Sequence, residues 1–168
     1  YRHIRCHFVK MIHNGIEYGD MQLISEAYWV MKNLLKLDNG EMSSVFSQWN
    51  EGKLRSYLIE ITANILQHKD KSGGYLIDKI LDTAGQKGTG KWSVINAMEL
   101  GMPLGLIATA VFERSLSAQK ELRKSAAGHF TCRRTEVVYN KSEMVGDIYS
   151  ALYASKLVSY AQGFAVLQ

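Results

Sequence analysis

Cysteine is nearly missing from this chain, since only Cys6 and Cys132 occur among its 168 residues. Two are too few for a disulfide framework or a four-ligand zinc site, and reduced thiols in a cytoplasmic protein are the simpler reading. Proline is scarcer still: Pro103 stands alone against 14 glycines, which excludes a collagen-like or proline-rich disordered chain and favours helices. No window approaches the roughly 20 uninterrupted apolar residues of a bilayer span. Tyr1-Arg2-His3-Ile4-Arg5 also lacks the apolar stretch of a secretory signal, so no membrane partner is expected. Charge of one sign is scarce too. Twenty basic and 16 acidic residues leave +4, an excess that suits anionic ligands without calling for nucleic acid. No second histidine stands at metal-ligand spacing from His13, and no metal is expected.

What is present is 46% apolar and 21% charged, the composition of one soluble domain able to bury about 70% of its unfolded surface. Val9, Ile12, Ile16, Leu23, Ala27, Val30 and Leu34 recur at helical spacing. They predict a long amphipathic helix from about Phe8 to Lys36, stopped by Asp38-Asn39-Gly40. Shorter helices are expected over Glu41 to Trp49, around Leu54, Leu58, Ile61 and Ile65 as far as the Lys71 to Gly74 turn, and over Tyr75 to Ala84. A helix from Trp92 to Leu100 meets stop signals at Gly101 and Pro103. One long helix then carries Leu104, Ala108, Val111, Ala118 and Leu122 to a basic end at Arg123 and Lys124. Gly128 to Lys141 reads as a loop whose β-branched Thr131 to Tyr139 portion forms a short hairpin strand. Beyond it, Tyr149, Leu152, Tyr153, Leu157, Tyr160 and Phe164 hold an apolar face up to Gln168, where nothing resembles a cap. With no methionine at the start either, the chain reads as cut from something longer. Strands and helices do not alternate, so the expected fold class is all-α.

Two motifs carry chemistry. Lys10, His13, Asn14 and Glu17 stand at i, i+3, i+4 and i+7, one polar stripe of a helix with large apolar residues beside it. Buried among Phe8, Val9, Met11 and Ile12, a lysine loses part of its preference for the charged form, whereas a buried glutamate is pushed toward protonation. An acid and a base then coexist at neutral pH. The blander reading is a solvated helix face with Lys10 and Glu17 two turns apart. The second motif is Gly85-Gln86-Lys87-Gly88-Thr89-Gly90-Lys91-Trp92, whose glycines admit close backbone approach and whose lysines suit a phosphate. It nearly matches a nucleotide P-loop. Trp92 stands where the magnesium-binding Ser or Thr belongs and no strand precedes the loop, which argues against a nucleoside triphosphatase. Its blander reading is a glycine-rich connection with solvated lysines. Arg114, among Ala110 to Leu116, either pairs with a carboxylate in the fold, the default, or faces an anionic ligand. Trp29, Trp49 and Trp92 read as core, because they do not interleave with a basic run.

Along Lys10-Met11-Ile12-His13-Asn14-Gly15-Ile16-Glu17-Tyr18-Gly19-Asp20-Met21-Gln22-Leu23 the chain closely resembles the 6-phosphogluconate dehydrogenase family. The resemblance continues through Tyr57 to Leu66, Gly85 to Trp92, Ala110 to Ser117 and Leu152 to Phe164. It implies the first part of the family's multi-helix C-terminal domain, with residues 1–168 a partial substrate-binding and catalytic domain. The amino-terminal Rossmann domain that holds NADP is then absent, and no Gly-x-Gly-x-x-Gly fingerprint occurs here. The family's later helices and its carboxyl-terminal tail, which reaches into the partner subunit's site of a homodimer, are absent as well. Where the family usually has Gly-Ala-Gly before His-Phe-Val-Lys, this chain has Ile4-Arg5-Cys6. Residues 1–6 therefore read as an atypical leader.

What the resemblance implies for chemistry is the NADP-dependent oxidative decarboxylation of 6-phosphogluconate to ribulose 5-phosphate in the pentose phosphate pathway. Lys10 is then the base that takes the proton of the 3-hydroxyl while hydride leaves for NADP, and afterwards the acid at the ketone. The β-keto acid loses carbon dioxide, and Glu17 protonates C1 of the enediol. His13 and Asn14 bind sugar hydroxyls and the carboxylate, while Tyr18, Lys87 and Arg114 hold the phosphate with Thr89 assisting. The competing reading is non-catalytic: a truncated product that keeps the helical fold, binds sugar phosphates weakly or pairs with a full-length subunit, and catalyses nothing.

Overall fold

The computed structural model describes residues 2–130 and 139–168. Among them there are seven α-helices and no strand, only an isolated antiparallel bridge between Lys69 and Tyr75. The all-α expectation holds. The loop and strand expected over 131–138, with Cys132, lie outside the described residues. No helix among the described residues is long and apolar enough to cross a membrane.

Helix α1 runs Arg2–Asn33; it starts about two turns before the expected Phe8 and stops three residues short of the expected Lys36. Lys36 itself takes φ 56°, a left-handed conformation that ends a helix. Asp38 does more than stop α1: it opens α2, Asn39–Asn50, two residues earlier than expected. Its carboxylate accepts from the Glu41 amide at 2.8 Å while the Glu41 carboxylate accepts from the Asp38 amide at 2.7 Å, a reciprocal capping box. Ser56 caps α3, Tyr57–Gln67, which ends at His68, before the 71–74 turn.

The helix expected over Tyr75 to Ala84 is not formed. Only a single 3-10 turn, Leu76–Lys79, appears, and the residues up to Gly88 are irregular. Side chains satisfy the groups a helix would have used. Ser117 Oγ accepts from the Ala84 amide at 3.1 Å and Arg123 donates to the Asp82 carbonyl at 2.6 Å. Helix α4 spans Thr89–Glu99, starting three residues before Trp92 because Gly88, at φ 102°, makes the turn into it. The single helix expected from Leu104 to Lys124 is two: α5, Gly105–Ala118, and α6, Lys120–His129. Gln119, at φ −92° and ψ 56°, breaks them apart, and the Ser117 carbonyl freed there accepts from Arg123 at 3.0 Å. Arg123 therefore braces a break and pairs with Asp82 rather than closing a helix, and Gly128 belongs to α6. Helix α7 spans Lys141–Leu167.

Internal contacts divide the chain into two compact units. One comprises Leu23–Leu81 and Val137–Ser155; the other comprises Tyr1–Gln22, Asp82–Glu136 and Lys156–Gln168. In the first, Met31, Met42, Phe46, Leu54, Ile59 and Leu66 are fully buried, with Trp49 edge-on to Phe46 at 5.1 Å. Ser43 ties α2 to α3 by donating to the Ala63 carbonyl at 2.8 Å. Asp78 accepts from both Lys32 and Asn39 at 2.7 Å.

In the other unit, Ile12, Ile16, Ala97, Leu104, Ile107 and Val166 form one small cluster, and Tyr18, Ala110 and Val111 another. Here the face expected on α7 is corrected in part: Leu157, Tyr160 and Phe164 are exposed and this unit's buried stripe is Lys156, Ser159, Gly163 and Val166, whereas Tyr149, Leu152 and Tyr153 pack in the first unit's core as expected. Close packing explains the choice, since a Cβ on Gly163 would lie 2.5 Å from Ile16 Cδ1 and one on Gly19 2.9 Å from Leu106 Cδ2. Only the small side of α7 lets the backbones come this near. Of the three tryptophans expected in the core, Trp49 alone is there; Trp29 and Trp92 are about half exposed.

Candidate active site

Helical spacing on α1 places Lys10, His13, Asn14 and Glu17 on one side of two turns, and their side chains meet. His13 Nδ1 lies 3.2 Å from Lys10 Nζ, 3.4 Å from Asn14 Oδ1 and 3.4 Å from Glu17 Oε2. One ring nitrogen thus stands between an amine and a carboxylate, able to pass or share a proton with either. Of the two readings of this stripe, the solvated helix face is the one observed for Lys10. Lys10 and His13 are exposed and Glu17 is half-buried, because Ile12 and Ile16, on the opposite side, take the interior positions.

One residue past Glu17, Tyr18 turns inward and is buried. The Arg114 guanidinium of α5 stacks over its ring at 4.5 Å, a cation–π contact that holds the planar fork flat. Arg114 donates to the Gly85 carbonyl at 3.1 Å and lies 3.7 Å from Met21 Sδ. Among the described residues no carboxylate pairs with Arg114, in place of the default of internal ion pairing, and the cation sits beside the glycine-rich segment. A Cβ on Gly90 would also come within 2.9 Å of the Tyr18 ring. That glycine is what lets the first turn of α4 press on α1.

The remaining expected residues are less tightly gathered. Thr89 is the first residue of α4 and half-buried. Lys87 is exposed and forms no ion pair or hydrogen bond among the described residues. Lys91 lies over its own neighbour Trp92 at 5.1 Å. Tyr18 and Arg114 are in contact, therefore, whereas Lys87 and Thr89 only flank them.

Two features escape a reading of the sequence. Asp20 and Lys156, both buried, form an ion pair at 2.5 Å. Burial pushes the Asp20 carboxyl above its ordinary range, against the hydrogen bond and charge of Lys156, and the charge of Glu17 adds to the rise. The available signal was Lys156 at the fourth residue after Leu152 and the third before Ser159, a core position of α7. The other feature is Ser93, wholly buried, whose hydroxyl reaches the Met11 carbonyl at 2.8 Å.

A profile of "6-phosphogluconate dehydrogenase, C-terminal domain" matches residues 6–168. The decarboxylating 6-phosphogluconate dehydrogenase 2 of Saccharomyces cerevisiae is 54% identical over 166 residues, covering 96% of this chain and 33% of the yeast protein. The decarboxylating 6-phosphogluconate dehydrogenase of Mus musculus is 54% identical over 163 residues, covering 96% and 34%. Among solved structures, Plasmodium falciparum 6-phosphogluconate dehydrogenase superposes with a TM-score of 0.90 at 51% identity, over 95% of this chain and 35% of that one. That work describes the enzyme in its apo form, with its cofactor NADP+ and with its substrate 6-phosphogluconate. The present chain spans about a third of the length of the relatives it matches.

Proposed function

Because this chain belongs to the 6-phosphogluconate dehydrogenase family, within its C-terminal domain, we propose that it carries the substrate-binding and acid–base residues for oxidative decarboxylation of 6-phosphogluconate. The observation that supports this reading most directly is the set of three contacts at His13 Nδ1, reaching Lys10, Asn14 and Glu17 within 3.4 Å, one residue before the Tyr18–Arg114 stack. Lys10 takes the proton of the 3-hydroxyl and then returns it to the ketone oxygen as carbon dioxide leaves, which gives the enediol. Glu17 delivers a proton to C1, on the same side of α1 two turns away. His13 and Asn14 bind hydroxyls and the carboxylate. Tyr18, Arg114 and Lys87 offer the phosphate a hydroxyl, a planar fork and a mobile point charge, with Thr89 at the start of α4.

Hydride acceptance is the chemistry NADP+ supplies in this family. The described residues hold no strand and hence no strand–loop–helix cradle for a dinucleotide, so the steps assigned to this chain are proton transfers and substrate binding. An exposed lysine is a poor base until water is excluded from it, and the remaining two thirds of the enzyme would provide that cover. Residues 1–168 are then a partial substrate domain with residues 1–6 as an atypical leader, working in a homodimeric, cytoplasmic enzyme without nucleic acid or membrane partners.

Titration calorimetry of the 168-residue chain with 6-phosphogluconate, run beside an NADPH absorbance assay with NADP+ added, tests this. Binding without turnover is expected. Absence of binding overturns the site as built on this chain and favours the non-catalytic reading.

A further inference from the structure

We infer that Ser93 is a positioning residue that sets the register of α4 on α1, and with it the span between the phosphate end and the acid–base end of the site. The inference rests on the substrate reading above. Ser93 is wholly buried, and its hydroxyl lies 2.8 Å from the Met11 carbonyl and 3.0 Å from the Thr89 carbonyl. Met11 follows Lys10, and Thr89 begins α4. One hydroxyl proton thus lies between the backbone beside the base and the backbone beside the phosphate-binding segment, and it can serve only one carbonyl at a time.

The surrounding contact explains why a directional bond is needed. Where Ser93 meets α1 the opposing residue is Gly15, whose added Cβ would lie 2.8 Å from Ser93 Oγ. One turn earlier on α4, Gly90 meets the Tyr18 ring with equal intimacy. Smooth glycine contacts let two helices approach but resist sliding poorly, whereas a hydrogen bond to one particular carbonyl fixes the axial position. Sliding α4 by a fraction of a turn would shift Thr89 relative to Lys10, whereas Arg114, on α5, stays stacked on Tyr18 of α1. The Ser93 hydroxyl bonds to backbone carbonyls, so it acts through the groups it holds.

The test compares two ligands that differ in length. Inorganic phosphate needs the Tyr18–Arg114 end alone, whereas 6-phosphogluconate must engage both ends at once. In chemical-shift titrations of the 168-residue chain, Ser93→Ala is expected to weaken 6-phosphogluconate about tenfold while leaving inorganic phosphate unchanged, and Ser93→Thr, which keeps the hydroxyl, to restore binding. Gly15→Ala, which presses a methyl against Ser93 Oγ, should reproduce the selective loss and decides the matter if Ser93→Ala does not fold. Equal weakening of both ligands, or none, overturns the inference. A wild-type chain that binds neither overturns the substrate reading beneath it, and that failure shows in the wild type rather than in the variants.

Discussion

In the unit built on α2 and α3, large side chains meet one another: Phe46 and Met42 pack with Met31, Leu54, Ile59 and Leu66 in one continuous cluster. In the unit that carries the candidate site, the helices meet through Gly15, Gly19, Gly90 and Gly163, with Ser93, Ser159 and the Asp20–Lys156 pair buried among them. A hydrophobic interior of the first kind tolerates change if volume is kept. Backbones pressed together with polar groups between them do not, because each contact depends on the absence of a side chain or on one partner. The unit that carries the candidate site is the one built to tight tolerances. The carboxylates divide in the same way. Asp70 is held down to about 2, chiefly by its hydrogen bond from Lys79, and Asp78 is lowered by Lys32, whereas burial raises Asp20.

The largest effect should come from breaking the buried pair. Lys156→Met leaves a carboxylate in the interior without its partner, and Asp20 Oδ1 has no hydrogen bond even now, so urea denaturation should show a loss of about 3–5 kcal/mol. Joining it to Asp20→Leu should return stability to within about 1 kcal/mol of the wild type or above it. Phe46→Ala in the other unit should also lose about 3–5 kcal/mol, with no single partner whose replacement recovers it. If the double variant stays as unstable as Lys156→Met, the supposed contrast between the units is wrong.

A smaller effect, in pH dependence, sharpens the same contrast. Folding raises the Asp20 pKa above its unfolded 3.8, so the folded state holds that proton more tightly. The stability Asp20 contributes is then full below 3.8 and is lost as pH rises through the raised value. Asp70 and Asp78, with lowered values, contribute stability above 3.8 that is lost as pH falls. Melting temperatures of Asp20→Asn and the wild type, measured from pH 3 to 8, should therefore differ in the variant's favour increasingly as pH rises. A constant difference would remove Asp20 as the source.

How much of this was legible in the sequence follows from what each feature depends on. The all-α class, the length of α1 and the stripe Lys10, His13, Asn14 and Glu17 are matters of spacing along one helix, and spacing is written in the sequence. Sequence left Lys10 open between a buried and a solvated setting, because apolar neighbours in sequence lie on other sides of a helix; Ile12 and Ile16 face inward and Val9 does not. The missing helix after Tyr75 goes with Ser117 and Arg123 bonding to the distant backbone of Ala84 and Asp82, which no local pattern encodes. On α7 the larger residues suggested the buried face, yet contact with α1 selected Ser159 and Gly163 because they are small. Contact between Tyr18 and Arg114, 96 positions apart, came from family resemblance and not from periodicity.

The smallest expected effects test the contrast within a single helix. Gly146 and Gly163 both lie in α7, and glycine in a helix interior costs about 0.5–1 kcal/mol relative to alanine. At Gly146 a Cβ would meet nothing within 4 Å, so Gly146→Ala should stabilise by about that amount. At Gly163 the same methyl would sit 2.5 Å from Ile16 Cδ1. Ile16 is buried against Ile12 and Val166 and has nowhere to go, so overpacking should outweigh the helical gain and destabilise by about 1–3 kcal/mol. One chemical change on one helix then takes opposite signs, and urea denaturation of the two variants reads both. Two stabilised variants would mean that α7 can move off α1 at little cost. The close approach at Gly163 would then be tolerated by the fold rather than required by it.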